Sequence, residues 1–283
     1  MTAWNGTGLP PVAERRVRRA AEGGPWTSLL SAPAAAGLRV AGLVPAGEVM
    51  GSIVEQISLV GASCGMYWSG PMATPLRPAG FGPYLDALNR GYATALDRLT
   101  QEATAIGADG VVGITLTAAP LGGAVEFTAL GTAVRAGGST RPGRVFTTAL
   151  SGQDVAKLMT AGWVPAALVY GISVAVRHDD WQTRAQASWG AGNTEVTGYT
   201  QLIAHARADA RARLGRHTRA AGADGAIVSS MGLRMWSIEP SENHRDHVAE
   251  ASVFGTAVAR FATTTATAAR PLTIFPLQHR SKS

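Results

Sequence analysis

The residue types best able to carry chemistry gather late in the chain, where Glu242, His244, Asp246, His247 and Glu250 fall close together. Imidazole combined with carboxylate suits zinc or a harder divalent ion. A divalent or heavy-metal ion is therefore the one cofactor these residues could serve. Geometry decides whether they can act together. His244 and His247 are three apart, a spacing that converges on a helix but points to opposite faces on a strand. His178-Asp179-Asp180 is a second group; adjacent side chains seldom chelate one ion alone, and it reads as a turn. Cys64, with Met66, sits in the glycine-rich stretch GASCGMYWSG. One thiolate makes no soft-metal site within a chain, although a ring would gather several copies around its axis. A lone idle cysteine is the simpler reading.

Two further carboxylates, Glu126 and Glu250, recur inside matching strand patterns and invite either a ligand role or pairing with an arginine across a subunit interface. Cationic chemistry is concentrated in Arg207, Arg211, Arg213, Arg216 and Arg219, opposed locally by Asp209 alone. At 100° per residue these arginines spread around the helix rather than forming one line. A groove reader would collect them on one line with aromatic or amide partners, so a solvated or inter-subunit face fits better. Of the short motifs of catalysis, GxxxxGK[ST], a GxGxxG opening a helix and HExxH are absent. No Ser, His and Asp are tied together by a motif, so an enzyme is not expected.

The elements that must position these residues come in a repeat. Residues 26–51 align with 146–171 at an offset of 120 without gaps, and 12 of the 26 positions are identical. Residues 84–110 align with 199–225 at an offset of 115, both ending in Gly-Ala-Asp-Gly. Glu126 and Gly131–Val134 align with Glu250 and Gly255–Val258 at an offset of 124. The growth from 115 to 124 places nine extra residues in the second half, so the His/Asp cluster reads as a solvated loop in or beside an insertion.

Each half carries the same pattern. Ser31 and Ser151 stand where helix N-caps belong. Leu168, Tyr170, Ile172, Val174 and Val176 alternate as a half-buried strand. Leu85, Leu88, Tyr92, Leu96, Leu99, Ala103 and Ile106 form one helical stripe, matched in the second half by Ile203, Ala210, Leu214 and Ala221. Gly107 and Gly222 read as helix C-caps, and Asp109 and Asp224 as turn residues that bond their own backbone. Two strands close each unit. The expectation is an α+β fold of two modules, each α-β-α-β-β, with a long helix packed on a small, mostly antiparallel sheet.

G-N-T-E-V-T-G-Y-T (192–200), G-A-D-G, and H-V-A-E (247–250) before G-T-A-V resemble the YbjQ-like family of bacterial heavy-metal-binding domains. The first half resembles it through GADGVVG (107–113), Glu126-Phe127 and GTAV (131–134). The resemblance implies two tandem dodecin-like, YbjQ-like modules, each able to join a ring, most often a pentamer of single domains. It implies no ligand set.

Composition bounds the rest. The chain has 283 residues, 46% hydrophobic and 16% charged, too apolar for disorder. One cysteine excludes an intrachain disulfide framework. The N-terminus lacks the apolar core of a secretory signal and no apolar run approaches the ~20 residues of a spanning helix, so a cytoplasmic protein without a membrane span is expected. The net charge is +6, of which the ends 1–25 and 263–283 supply +2 and +3, leaving +1 for residues 26–262. The domain reading is a basic, disordered tail (1–25), repeat 1 (26–137), a linker (138–145), repeat 2 (146–262) and a basic C-terminal tail (263–283). The expected function is a non-enzymatic, ring-forming homo-oligomer with an assembly or small-ligand and metal-binding role. The alternative is an electrostatic binder of nucleic acid or an anionic surface through the arginine-rich tails and helix.

Overall fold

Short polar caps start the helix that opens each half, and glycines end the long helix that follows. In a computed structural model that describes residues 4, 6, 8–22, 27–57, 81–138, 141–241 and 244–261, the Ser31 hydroxyl accepts the Ala34 N–H at the start of α2 (Ala32–Val40). Ser151 accepts the Asp154 N–H at the start of α4 (Gly152–Thr160). Gly107 and Gly222, at φ +70° and +69°, follow the two long helices α3 (Gly82–Ala105) and α6 (Thr197–Ala220). Both hold the left-handed conformation that costs glycine least.

The strands are β1 (Leu43–Glu55), β2 (Gly110–Leu121), β3 (Ala124–Ala136), the short β4 (Phe146–Thr147), β5 (Trp163–His178), β6 (Gly225–Ser241) and β7 (His244–Arg260). They form two sheets, ordered β1-β3-β2-β4 and β5-β7-β6, antiparallel except for β4 beside β2. The register repeats as well as the order. β1 slips against β3 between Pro45 and Gly47, and β5 against β7 between Pro165 and Ala167. β2 slips between Val112 and Thr115, opposite Thr132 and Leu130; β6 slips between Val228 and Ser230, opposite Gly255 and Phe254. The fold is α+β with two antiparallel-rich sheets.

The long helices sit very close to the first strand of each sheet. A Cβ on Gly51 of β1 would lie 2.0 Å from the Ala95 carbonyl oxygen, and one on Gly171 of β5 2.0 Å from that of Ala210. Small residues at these positions are what allow the contact. α3 also reaches the second sheet, because Tyr92 packs on Phe127 at 4.9 Å, Phe254 at 5.3 Å and Tyr170 at 5.7 Å. The second sheet therefore has α6 on one face and the first half on the other. One apolar cluster runs from Val49, Leu99 and Phe127 to Tyr170, Ile172 and Val248, so the halves share a core, and a second cluster, from Val169 and Leu202 to Ala257, lies between α6 and the second sheet.

That arrangement revises several expectations. β5 is not half-buried: its residues 168–175 are buried on both faces. The buried stripe of α6 is Leu202, Ala206, Ala210, Leu214 and Thr218, rotated from the stripe through Ile203 and Ala221. Residues 11–21, expected within a disordered tail, form helix α1 (Pro11–Ala21). Arg16 on α1 bonds both oxygens of Glu102, at 2.9 and 2.8 Å, and Glu102, 1% exposed, also accepts the Met50 N–H. The nine extra residues lengthen the last hairpin rather than forming a loop, since β6 and β7 are each 17 residues against 12 and 13 for β2 and β3. A short helix α5 (Trp181–Gln186), capped by Asp180, precedes α6. Among the described residues no helix is long and apolar enough to cross a membrane.

Candidate functional site

The junction between the halves is the most fully built feature. Residues 146–150 run along the outer edge of β2. Phe146 and Thr148 donate N–H bonds to the carbonyls of Asp109 and Val111, both at 3.0 Å; Gly113 and Ile114 donate to the carbonyls of Leu150 and Thr148, at 2.9 and 3.0 Å. The Phe146 ring covers Gly110, where a Cβ would lie 2.2 Å away. The segment is held from its own sheet by Thr256, whose hydroxyl meets Thr148 Oγ1 at 2.9 Å and accepts the Ala149 N–H at 3.2 Å. α2 and α4 pack beside it: a Cβ on Gly152 would lie 2.4 Å from the Ala34 carbonyl. Val155 joins Leu38, Leu43, Val112 and Val134 in a buried cluster across the junction.

Glu250 is part of this contact. It accepts a bond from the Tyr84 hydroxyl of α3 at 2.5 Å and one from Arg234 at 3.0 Å, and Arg234 also donates to the Tyr84 oxygen. Burial, reinforced by the Glu250 carboxylate, pushes the Tyr84 hydroxyl well above the usual phenol range, so it remains a donor. β7 is a central strand; the arginine partner of Glu250 lies in the same chain, on the adjacent strand. Glu126, at the matching position of β3, is half-buried and makes no ion pair among the described residues.

The histidine–carboxylate cluster is strand, not loop. Asp246 and His247 are 2% and 6% exposed, near the start of β7. Asp246 bonds His178 Nδ1 at 2.7 Å. His247 meets Tyr199 edge-to-face at 4.7 Å between centroids, bonds Ser237 Oγ at 3.2 Å and lies 3.4 Å from Asp179. The two neighbours occupy opposite faces, as strand geometry requires. His244 lies on the same strand, and Glu250 is a further ~13 Å from Asp246 at the strand rise. Among the described residues no three or more His, Cys, Asp or Glu side chains converge as a metal site would require. Glu242 and Cys64 lie outside the described residues, as does Gly-Ala-Ser-Cys-Gly (61–65), which spells GxSxG. Asp109 and Asp224 bond the neighbouring strand rather than their own turn: Asp109 accepts the Ala136 N–H and two bonds from Arg141, and Asp224 accepts the Arg260 N–H. The Arg141 guanidinium holds the Asp109 carboxyl below the usual carboxylate range.

Among the described residues nothing pairs with the outer edge of the second half. β6 is an edge strand and leaves Ile227, Val228, Met231, Leu233 and Met235 between 36% and 62% exposed. A groove of about 380 Å³ between α6 and β6 is lined by Arg207, Arg211, Met231 and Leu233, among others. Of the five arginines, Arg213 pairs with Asp209 at 2.9 Å, and Arg211 reaches the Met231 sulfur at 4.0 Å. Arg207, Arg216 and Arg219 are exposed. The Tyr84–Glu250 bond, the Arg16–Glu102 pair and the 146–150 edge were not read from sequence; the one visible trace was the repeated Thr132 and Thr256 of the two GTAV motifs.

Comparison with known proteins bears on both halves. Residues 78–137 match the YbjQ-like family, described as heavy-metal-binding. No solved structure matches the chain. The encapsulin nanocompartment protein Rv1762c of Mycobacterium tuberculosis is 32% identical over 263 residues, which cover 89% of this chain and 92% of that protein. With that identity along nearly its whole length, the chain belongs to the same family as this mycobacterial encapsulin nanocompartment protein.

Proposed function

We propose that the protein is two copies of one YbjQ-like module and acts as a cytoplasmic, non-enzymatic assembly component that closes into a ring of its own copies, in the service of an encapsulin-type nanocompartment. The observation that carries this reading is the open β6 side. A 17-residue edge strand with five large apolar residues on view supports an association surface, since unpaired edges and apolar patches drive contact between chains. The matched strand orders and bulges support the two-module reading, and the likeness to an encapsulin nanocompartment protein supports a role in assembly. Asp246, His247 and Glu250 are engaged with His178, Ser237, Tyr84 and Arg234, which favours assembly over metal binding.

Native mass spectrometry of untagged protein tests the first half of the proposal. Masses at whole multiples of the 29.2 kDa chain are expected; a single-chain mass at micromolar concentration refutes self-assembly. Co-expression with an encapsulin shell tests the second. Co-sedimentation with shells is expected, and shells free of the protein refute a nanocompartment role.

A further inference from the structure

The chain contains both surfaces of one contact, and each surface occurs twice. Within the chain, segment 146–150 completes the β2 edge. The same segment one repeat earlier is 27–30, and the same edge one repeat later is 225–229. Thr132 fixes the earlier segment to its own sheet as Thr256 fixes the later: the Ser28 hydroxyl lies 3.4 Å from Thr132 Oγ1, and the Leu29 N–H donates to it at 3.1 Å. Among the described residues no strand pairs with its outer edge.

The receiving edge shows what is missing. Val112 is fully buried under the junction, while its counterpart Ile227 is 39% exposed. Gly110 lies under the Phe146 ring, while nothing among the described residues approaches within 4 Å of a Cβ on Gly225. The side faces follow the same rule. Tyr92, Leu96 and Leu116 are covered by a core that includes Tyr170; their counterparts Arg207, Arg211 and Met231 line the open groove. The counterpart of Tyr170 is Met50, on a face of the first sheet that also carries the half-buried carboxylates Glu48 and Glu126. Those acids suit the arginines opposite. α2 uses Ala34, Gly37 and Leu38 against Gly152 and Gln153 of α4. One repeat apart, these are different positions on the equivalent helix, so the contact is head-to-tail and leaves one partner surface free at each end.

We propose that segment 27–30 of a second copy pairs in parallel with β6 at 225–229, repeating between chains the pairing of 146–150 with β2 within one. Its first sheet then covers the α6–β6 groove, with Glu48 and Glu126 facing Arg207 and Arg211. The occupant of the β6 edge is this chain itself. The inference rests on the self-assembly reading above, and it fixes which surfaces meet.

Two variants test it against the unmodified protein. Ile227→Asp places a carboxylate where the partner segment must lie, on a side chain already partly in water. It should reduce the oligomer to single chains in native mass spectrometry, with an unchanged circular dichroism spectrum. Independently, Thr27→Cys and Ala226→Cys, in a Cys64→Ser background, occupy the counterparts of Thr147 and Val111, which are direct partners within the chain. Mild oxidation should yield a ladder of covalent multimers on a non-reducing gel, and neither single cysteine variant should do so. An oligomeric parent with an unaffected Ile227→Asp variant and no ladder overturns this interface alone. A parent that is a single chain overturns the self-assembly reading itself.

Discussion

Gly171→Ala is the sharpest test of how α6 is seated. The added methyl would stand 2.0 Å from the Ala210 carbonyl oxygen and 2.7 Å from the Leu214 nitrogen, so it falls 1.4 Å short of the 3.4 Å at which ordinary contact begins. Both obstacles are backbone, and no rotamer change relieves them. The helix must lift away from β5 by about 1 Å, and a gap of that order forfeits up to roughly half the dispersion energy of the contacts it opens. Those contacts are the whole stripe from Leu202 to Leu214 against Val169, Ala175, Ala249 and Ala251. Overpacking of side chains costs about 1–3 kcal/mol, and with backbone as the obstacle we expect about 2–4 kcal/mol. For a chain of this size that lowers the melting temperature by about 5–15 °C. The assay is thermal unfolding by circular dichroism at one fixed protein concentration, because assembly makes Tm concentration-dependent. Gly51→Ala, with the same 2.0 Å approach to Ala95, should fall in the same range. Gly190→Ala, with nothing among the described residues within 4 Å, should stay within about 2 °C of the parent. A Gly171→Ala protein that melts as the parent does would refute the close helix–strand contact.

Arg16→Ala leaves the buried Glu102 carboxylate with only the Met50 N–H; because the Arg16 side chain is 36% exposed, the loss should be about 1–2 kcal/mol rather than the roughly 3–5 of a fully buried pair, read by urea unfolding and by faster tryptic cleavage within α1. Burial pushes the Tyr170 hydroxyl up to about 12 and that of Tyr84 higher still. These groups hold their protons longer when folded, so their stabilisation is intact below pH 10 and drains away as pH rises from 10 towards 12; ultraviolet titration that ionises all five tyrosines by pH 11 in a folded protein would contradict it. Asp109 titrates below its ordinary value of 3.8, so it contributes stability above that pH and loses it as pH falls; Asp109→Asn should melt below the parent at pH 7, with the difference narrowing as pH falls below 3.8, and a constant difference would refute the Arg141 pairing. Assembly through the Arg207 and Arg211 face should weaken between roughly 0.05 and 1 M salt, where the screening length falls from well above 10 Å to about 3 Å; an unchanged mass by light scattering would remove the arginines from the contact.

Element order was readable because helix and strand periods are local. Ser31, Ser151, Gly107 and Gly222 marked the helix ends by mechanisms that need only a few residues. The double-sided burial of β5 was not readable. Leu168 to Val176 alternates cleanly, but the intervening Val169, Gly171, Ser173 and Ala175 are small because α6 lies on them, and small residues resemble a solvated face in sequence. α1 carried its cues in Pro11, Glu14 and the arginines of its last turn, yet its anchor, Glu102, lies 86 residues away. Asp246 and His247 looked like loop residues because the insertion was counted and its form was not. Nine residues divided between two strands extend a hairpin and turn adjacent ligands to opposite faces. What no local reading could supply was the pairing of 146–150 with β2, a contact that joins one half's edge to the other half's entry.

The two ends of that contact differ in chemistry, and the difference follows from where each forms. Inside the chain the surfaces are tethered by the short segment between β3 and β4, so their effective concentration is high and they need little selectivity. They are correspondingly apolar, with Tyr92, Tyr170 and Phe254 in contact. The surfaces proposed to meet between chains must find one partner among many. There the counterparts of Tyr92, Leu168 and Tyr170 are Arg207, Glu48 and Met50, which retain some apolar contact and add opposite charges. Charge pairs steer encounter and reject wrong faces, whereas a second wholly apolar end would have adhered without discrimination. On the two-module reading proposed above, each chain adds modules in twos, so any closed ring of whole chains holds an even number of modules. Such a ring alternates a covalent, apolar contact with a charged one, and salt acts on every second interface only.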